Sequence, residues 1–169
     1  IKANDVCHQT DAFSVCDGQQ RLTTLVTLMR MLSDHLPAAE RPAFDALYLR
    51  RGEVGSDRAV LRLNSDTRVF YERVVLGDGN TANEPATLEA HERLLESRKL
   101  IGKWLTERLD AGVKVSDIRN AIEIELGFLV YAPKEDAETG IMFEVINNRG
   151  KALSELEKVK NYLIYCCVK

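Results

Sequence analysis

Several features are scarce or missing in this chain of 169 residues, and each excludes a class of protein. No apolar run approaches the ~20 residues that a membrane-spanning helix needs, so no membrane partner is expected. The four cysteines form no C-x-x-C pair and there are only three histidines, which argues against a zinc site. Free thiols and the lack of a signal-peptide pattern together predict a cytoplasmic protein.

A strong charge of either sign is also missing. The net charge is −3, from 23 basic and 26 acidic side chains, which gives no overall electrostatic footprint for nucleic acid. Any DNA contact is therefore expected through a local patch or through another part of a longer protein. The length suits one domain with its own core, and we predict a single domain over residues 1–169. Because the chain begins with Ile rather than Met, we interpret it as a fragment.

The most informative stretch is residues 17–25, which read DGQQRLTTL. A short apolar run at 12–16 precedes it, and apolar residues at helical spacing over 22–36 follow it. This pattern predicts a strand, a tight turn and a helix. Gly18 suits the turn because glycine adopts backbone angles that other residues avoid.

The turn brings polar side chains to the N-terminus of the predicted helix, where free N–H groups and the helix dipole favour an anion. Arg21 adds a guanidinium suited to phosphate, and Asp17 a carboxylate that can hold a metal or orient a water molecule. Gln19 and Gln20 supply neutral donors and acceptors. The same residues also fit an ordinary solvent-exposed helix start in which Arg21 pairs with Asp17.

The rest of the chain predicts more helix than strand. Helical patterns occur at 40–51, 67–76, 88–109, 116–121 and 134–146, and from Ser154 onward, where a capping box opens the last helix. Strand patterns occur at 59–64 and 122–131, the second of which is the strongest in the sequence. The predicted fold class is α+β, with a small sheet in a predominantly helical surround.

A second polar block covers residues 143–150 and the start of the last helix. Arg149 lies in a turn ended by Gly150, and the N–H groups near Ser154 form another helix N-terminus. Lys160 is placed to reach back toward the turn. These residues fit a second anion site, but they also fit a plain helix C-cap with Gly150 in the left-handed conformation.

The string DGQQRLTTL resembles the signature of the N-terminal domain of GmrSD-type restriction enzymes, a family with a ParB/sulfiredoxin-like core. The block Phe-Glu…Asn-x-Arg-Gly, Leu-Ser, Lys-Asn near the end of the chain is similar to the second motif of that family. Asn148 stands where Thr is usual, Glu157 where Asp is usual, and Lys158 replaces an apolar residue. The opening motif of the family and any downstream nuclease segment are not in this sequence.

The resemblance implies a nucleotide-binding, NTP-hydrolysing domain of a bacterial defence system against modified phage DNA. We assign the catalytic roles to Asp17, Gln19, Gln20 and Arg21, with Mg²⁺ on Asp17. The predicted nucleotide and phosphate contacts are Gly18, Thr23, Asn147, Arg149, Lys160 and Asn161. DNA is expected as a partner only through the full-length protein, with a C-terminal nuclease domain or subunit.

Two other functions remain open at this point. One is a catalytically inactive DNA-binding or protein-interaction module of the same fold, and the other is direct nuclease activity of the ParB-like core. For the leading function, we predict that the two motifs converge, with the strands at 12–17 and 122–131 in one sheet. Arg21, Asn147, Arg149 and Lys160 would then surround a cleft shared with Asp17.

Overall fold

The computed structural model describes residues 2–3, 12–15, 17–52, 58–77, 85–130, 155–156, 159 and 162–163. Contacts divide the chain into two compact units. The first contains Ile1–Gln19 and Phe128–Lys169, and the second contains Gln20–Gly127. No helix among the described residues is long and apolar enough to cross a membrane.

The first unit contains a short antiparallel pair of strands. Strand β1 is Lys2–Ala3 and strand β2 is Ala12–Phe13, with Ala3 opposite Ala12 and Lys2 opposite Phe13. Of the strand predicted at 12–17, residues 12–13 are confirmed, residues 14, 15 and 17 are not in a strand, and residue 16 lies outside the described residues. Residues 155–156, 159 and 162–163 are helical, which agrees with the predicted last helix.

Most of the regular structure belongs to helices of the second unit. The first of these helices begins at Gln19, one residue before the unit itself begins. The elements in chain order are α1 (Gln19–Ser33), α2 (Arg41–Tyr48), β3 (Arg50–Arg51), β4 (Arg58–Ala59), α3 (Ser65–Phe70), α4 (Glu89–Asp110) and α5 (Val115–Asn120). Helix α3 continues as a π-helical turn, Tyr71–Val75, and α5 as another, Ala121–Glu125. Strands β3 and β4 form an antiparallel pair. The predicted α+β class with mostly helical structure is confirmed.

Helix α1 supplies the centre of the main core. Met29 and Leu32 of α1 are buried, as the apolar period predicts, and so is Leu36, which lies three residues past the end of the helix. They form one cluster with Phe44 of α2, Leu49 directly after α2, Leu105 of α4 and Ile118 of α5. Each fully buried Leu contributes roughly 1.5–3 kcal/mol relative to an exposed one. This packing anchors the C-terminal part of α1 in the core of the second unit.

A second cluster of the same unit is centred on the first π-helical turn. Tyr71 and Val75 are completely buried, and Leu76 and Ala59 complete the cluster. Arg98 of α4 donates from Nη1 to the carbonyl of Val74, so this turn is also tied to α4. Val74 lies in the last turn of this helix, where the carbonyls have no intrahelical partner and accept from side chains.

The strand predicted at 122–131 is wrong for its described residues. Residues 121–125 form the second π-helical turn and 126–130 have no regular structure. Glu123 explains the helical choice, because its Oε1 accepts from Nε of Arg119 one turn earlier (2.9 Å) and from the Tyr48 hydroxyl (2.8 Å). The alternating Ile and Glu residues at 122–125 therefore form the end of a helix and not a strand. The predicted sheet joining 12–17 to 122–131 does not form among the described residues.

Candidate functional site

The turn before α1 adopts the predicted geometry. Gly18 has φ of 84°, in the left-handed region where a side chain is strained, and α1 begins at the next residue. Helix α1 has 15 residues and no acidic side chain in its first turn. Its N-terminal N–H groups and dipole therefore favour an anion, without a helical carboxylate to offset them.

Gln19 has a structural contact within this turn. Its Nε2 donates to the carbonyl of Val15 at 2.7 Å, which ties the start of α1 to the chain that follows β2. The two adjacent glutamines are therefore not equivalent, since Gln19 helps to fix the turn. The Gln20 side chain is exposed beside it.

The polar side chains of the motif lie at the surface. Asp17, Gln19, Gln20 and Arg21 are exposed, whereas Gly18 and Thr23 are partly buried. Thr24 donates its hydroxyl to the carbonyl of Gln20 (2.9 Å), so this threonine is used within the helix. The structure thus brings Asp17 to Arg21 together by local chain geometry at one helix N-terminus.

The second motif cannot be placed in the same way. Asn147, Arg149, Lys160 and Asn161 lie outside the described residues, as do the helix predicted at 134–146 and the turn with Gly150. The predicted convergence of the two motifs on a shared cleft therefore stays a prediction.

Asp17 is the carboxylate of the turn and the residue there that would hold a metal ion. Among the described residues no group of three or more metal-ligating side chains occurs. Mg²⁺ at nucleotide sites is commonly held by one or two carboxylates together with phosphate oxygens and water. Asp17 beside a helix N-terminus that favours an anion fits that mode of binding, in which the metal would neutralise phosphate charge.

The structure also reveals a polar pocket that the sequence patterns did not predict. It measures about 360 Å³, and the described residues that line it are Arg30, Asp45, Leu49, Arg50, Leu76 and Gly77. Arg30 is the one signal in the sequence, because a charged residue stands on the buried face of α1 between Met29 and Ser33. A buried Arg needs partners, which points to polar surroundings on that face.

A family model for the GmrSD restriction endonuclease N-terminal domain matches residues 2–164. The matched range includes the turn at 17–25 and the second motif. Searches of curated proteins and of solved structures returned no match. Since the family model covers nearly the whole sequence, the chain belongs to the GmrSD restriction endonuclease N-terminal domain family.

Proposed function

We propose that the chain is the NTP-binding and NTP-hydrolysing regulatory domain of a bacterial restriction system directed against phage DNA that carries modified bases. It acts in the cytoplasm, and a nuclease domain or subunit outside this chain cuts the DNA. Membership of the restriction endonuclease family supports the setting of this proposal. The observation that carries the nucleotide part is the exposed Asp17-to-Arg21 turn at the N-terminus of α1.

Each residue of the turn has a separate role in this proposal. Phosphoryl transfer needs positive charge, a metal and a positioned water more than covalent chemistry. The N–H groups of α1 and Arg21 bind phosphate oxygens, while Asp17 holds Mg²⁺. Gln20 orients the attacking water, and Gln19 keeps the turn in place through Val15. Thr23, Asn147, Arg149, Lys160 and Asn161 are the further nucleotide contacts that we propose.

The test is phosphate release from several NTPs with Mg²⁺, using a longer protein that retains the flanking segments. Asp17→Asn and Arg21→Gln should lower kcat/KM at least about 100-fold, the scale of removing a charge-stabilising group from a phosphoryl-transfer site. Arg51→Gln is the matched control, because it removes another exposed positive charge, from β3, outside the turn. Activity that survives both turn variants would remove these roles.

The two glutamines give a sharper test of the same site. Gln20→Ala should lower kcat and leave the melting temperature unchanged, because its role is in the reaction. Gln19→Ala should lower the melting temperature as well, because it loses the hydrogen bond to Val15. Salt-sensitive DNA binding without nucleotide turnover would instead support an inactive binding module of the same fold.

A further inference from the structure

The surface of α4 carries a ridge of four exposed side chains, Glu96, Leu100, Trp104 and Arg108. They are spaced four residues apart, so they follow one another along one side of the helix. Leu100 is 72% exposed and Trp104 40% exposed, whereas Leu105, the next residue, is buried in the main core. The α4 ridge therefore lies on the side of the helix that faces away from that core.

The two ends of the α4 ridge carry opposite charges. Among the described residues, neither Glu96 nor Arg108 has an ion-pair partner. The guanidinium of Arg108 lies 5.8 Å from the centre of the Trp104 ring, a cation–π distance that keeps it beside the aromatic side chain. Charged residues next to the ridge include two ion pairs closed within α4: Arg93 with Glu89, and Lys103 with Glu107. Along the helix, the ridge is therefore acidic, aliphatic, aromatic and basic in turn.

This order of side chains is complementary to itself when a second copy of α4 lies antiparallel across it. A two-fold axis midway between Leu100 and Trp104 places Leu100 of each copy against Trp104 of the other. The same axis places Glu96 of each copy opposite Arg108 of the other, because both residues lie equally far from the midpoint. Rows of residues four apart are also the ridges that interdigitate in the commonest class of helix packing. One helix face thus supplies an apolar centre with an ion pair at each end.

We propose that the α4 ridge is the contact surface of a homodimer of this chain. Leu100 and Trp104 form its apolar centre, and the two ion pairs between Glu96 and Arg108 fix the antiparallel direction. Four side chains on each copy form a smaller contact than the roughly 1,200–2,000 Å² of a standard interface, so we expect a dissociation constant of about 10–100 µM. The proposal is independent of NTP hydrolysis at the turn before α1.

The first test is sedimentation velocity of the chain from about 5 to 500 µM, a range that brackets this dissociation constant. We expect the average mass to rise from monomer to dimer and no further, because a two-fold contact closes on itself. A monomer at every concentration would overturn the second copy as the occupant and would leave the ridge to a different partner protein. Growth beyond the dimer would also overturn the proposal, since it requires a second surface.

Exchange of the two charges gives the sharpest test. Glu96→Lys and Arg108→Glu should each weaken dimerisation at least about tenfold, because each variant places two like-charge pairs in its own dimer. An equimolar mixture of the two variants should form a heterodimer with nearly native affinity, since the introduced lysine and glutamate then face each other and the native pair forms at the other end. Recovery on mixing cannot result from unfolding. Two variants that stay monomeric when mixed would overturn the antiparallel arrangement.

The apolar centre is tested with a matched pair of leucine variants. Leu100→Ala should weaken dimerisation about tenfold, because it removes one side of both central contacts. Leu47→Ala on α2 shortens another exposed leucine, 51% accessible, and should change the dissociation constant less than about twofold. Equal effects of the two variants would place the interface elsewhere and overturn the proposal.

Discussion

At the scale of single residues, burial decides how a polar group of α1 is used. Arg21 lies exposed at the start of the helix, whereas Arg30 is buried and bonded to two backbone carbonyls and Asp34. The same side-chain type is thus a ligand candidate at one end and a structural group at the other. Sequence alone predicted the exposed role, because a turn and a helix start are local features.

Tyr71 shows the cost of burying a hydroxyl. The residue is completely buried, and no hydrogen bond of good geometry reaches its hydroxyl from the described residues. Burial raises the pKa of Tyr71 from 10.0 to about 12, although an interaction with Thr27 lowers it slightly. Burial therefore makes ionisation of the phenol unfavourable, and burying its hydroxyl without a good hydrogen bond also costs free energy.

We predict that stability falls between pH 10 and pH 12 because of Tyr71. The unfolded phenol ionises near its ordinary pKa, whereas the folded one keeps its proton until about pH 12. The stabilising contribution is complete below the unfolded pKa and is lost as pH rises through the folded one, by roughly 1–3 kcal/mol. Urea unfolding across this range, compared between the native chain and Tyr71→Phe, isolates the effect. Parallel curves for the two proteins would contradict it.

At neutral pH the same substitution has a different expected result. Tyr71→Phe removes a hydroxyl that has no hydrogen bond of good geometry to the described residues, so the free energy of unfolding should stay within about 1 kcal/mol of the native value or increase. A larger loss would mean that the hydroxyl has a strong partner.

At the scale of elements, α4 shows how one helix serves both core and surface. It has 22 residues, and its Leu105 is 1% exposed in the main core while Leu100 on the same helix is 72% exposed. Trp104 is partly exposed, and the guanidinium of Arg108 lies 5.8 Å from its ring centre. Apolar composition alone therefore does not identify which Leu of this helix stabilises the fold.

We predict that Leu105→Ala lowers the free energy of unfolding by about 2–5 kcal/mol, because it leaves a cavity among Leu32, Phe44 and Ile118. Leu100→Ala is the matched control, with an expected change within about 0.5 kcal/mol. Both variants lose the same atoms from the same helix, so only burial differs. Chemical denaturation measures both, and similar losses for the two would contradict this assignment of the core.

The helices were predictable from sequence to within a few residues, whereas the strands were not. Helical period is local, so α1, α2 and α4 follow from spacing of apolar residues. A strand needs a partner that lies elsewhere in the chain, and β2 extends over only two residues opposite β1. At 122–125 the contacts of Glu123 with Arg119 and Tyr48 favoured a π-helical turn.

At the scale of the whole molecule, one family model matches nearly the whole chain, although the contacts divide that chain into two compact units. The match covers residues 2–164, while contacts separate Gln20–Gly127 from the two ends of the chain. The net charge of −3 applies to the complete sequence. Family membership indicates a restriction system, but the charge gives this chain little attraction for DNA.

We predict that this chain alone binds unmodified duplex DNA weakly, with a Kd of about 10⁻⁴ M or higher at physiological salt. Filter binding at two salt concentrations measures both affinity and its salt dependence. The longer protein with its nuclease part is the positive control. Tight binding by this chain, with a steep loss of affinity at the higher salt concentration, would show a local basic surface and contradict the prediction.

By itself the sequence determined the family, the turn at Asp17 to Arg21 and the helices, because short motifs and helical spacing act over a few residues. Only the tertiary structure decided where the strands pair, which Leu of α4 is buried, and that Arg30, Asp45 and Arg50 line one pocket. Those outcomes depend on contacts between residues far apart in the chain. A local sequence pattern does not indicate which distant residue will make such a contact.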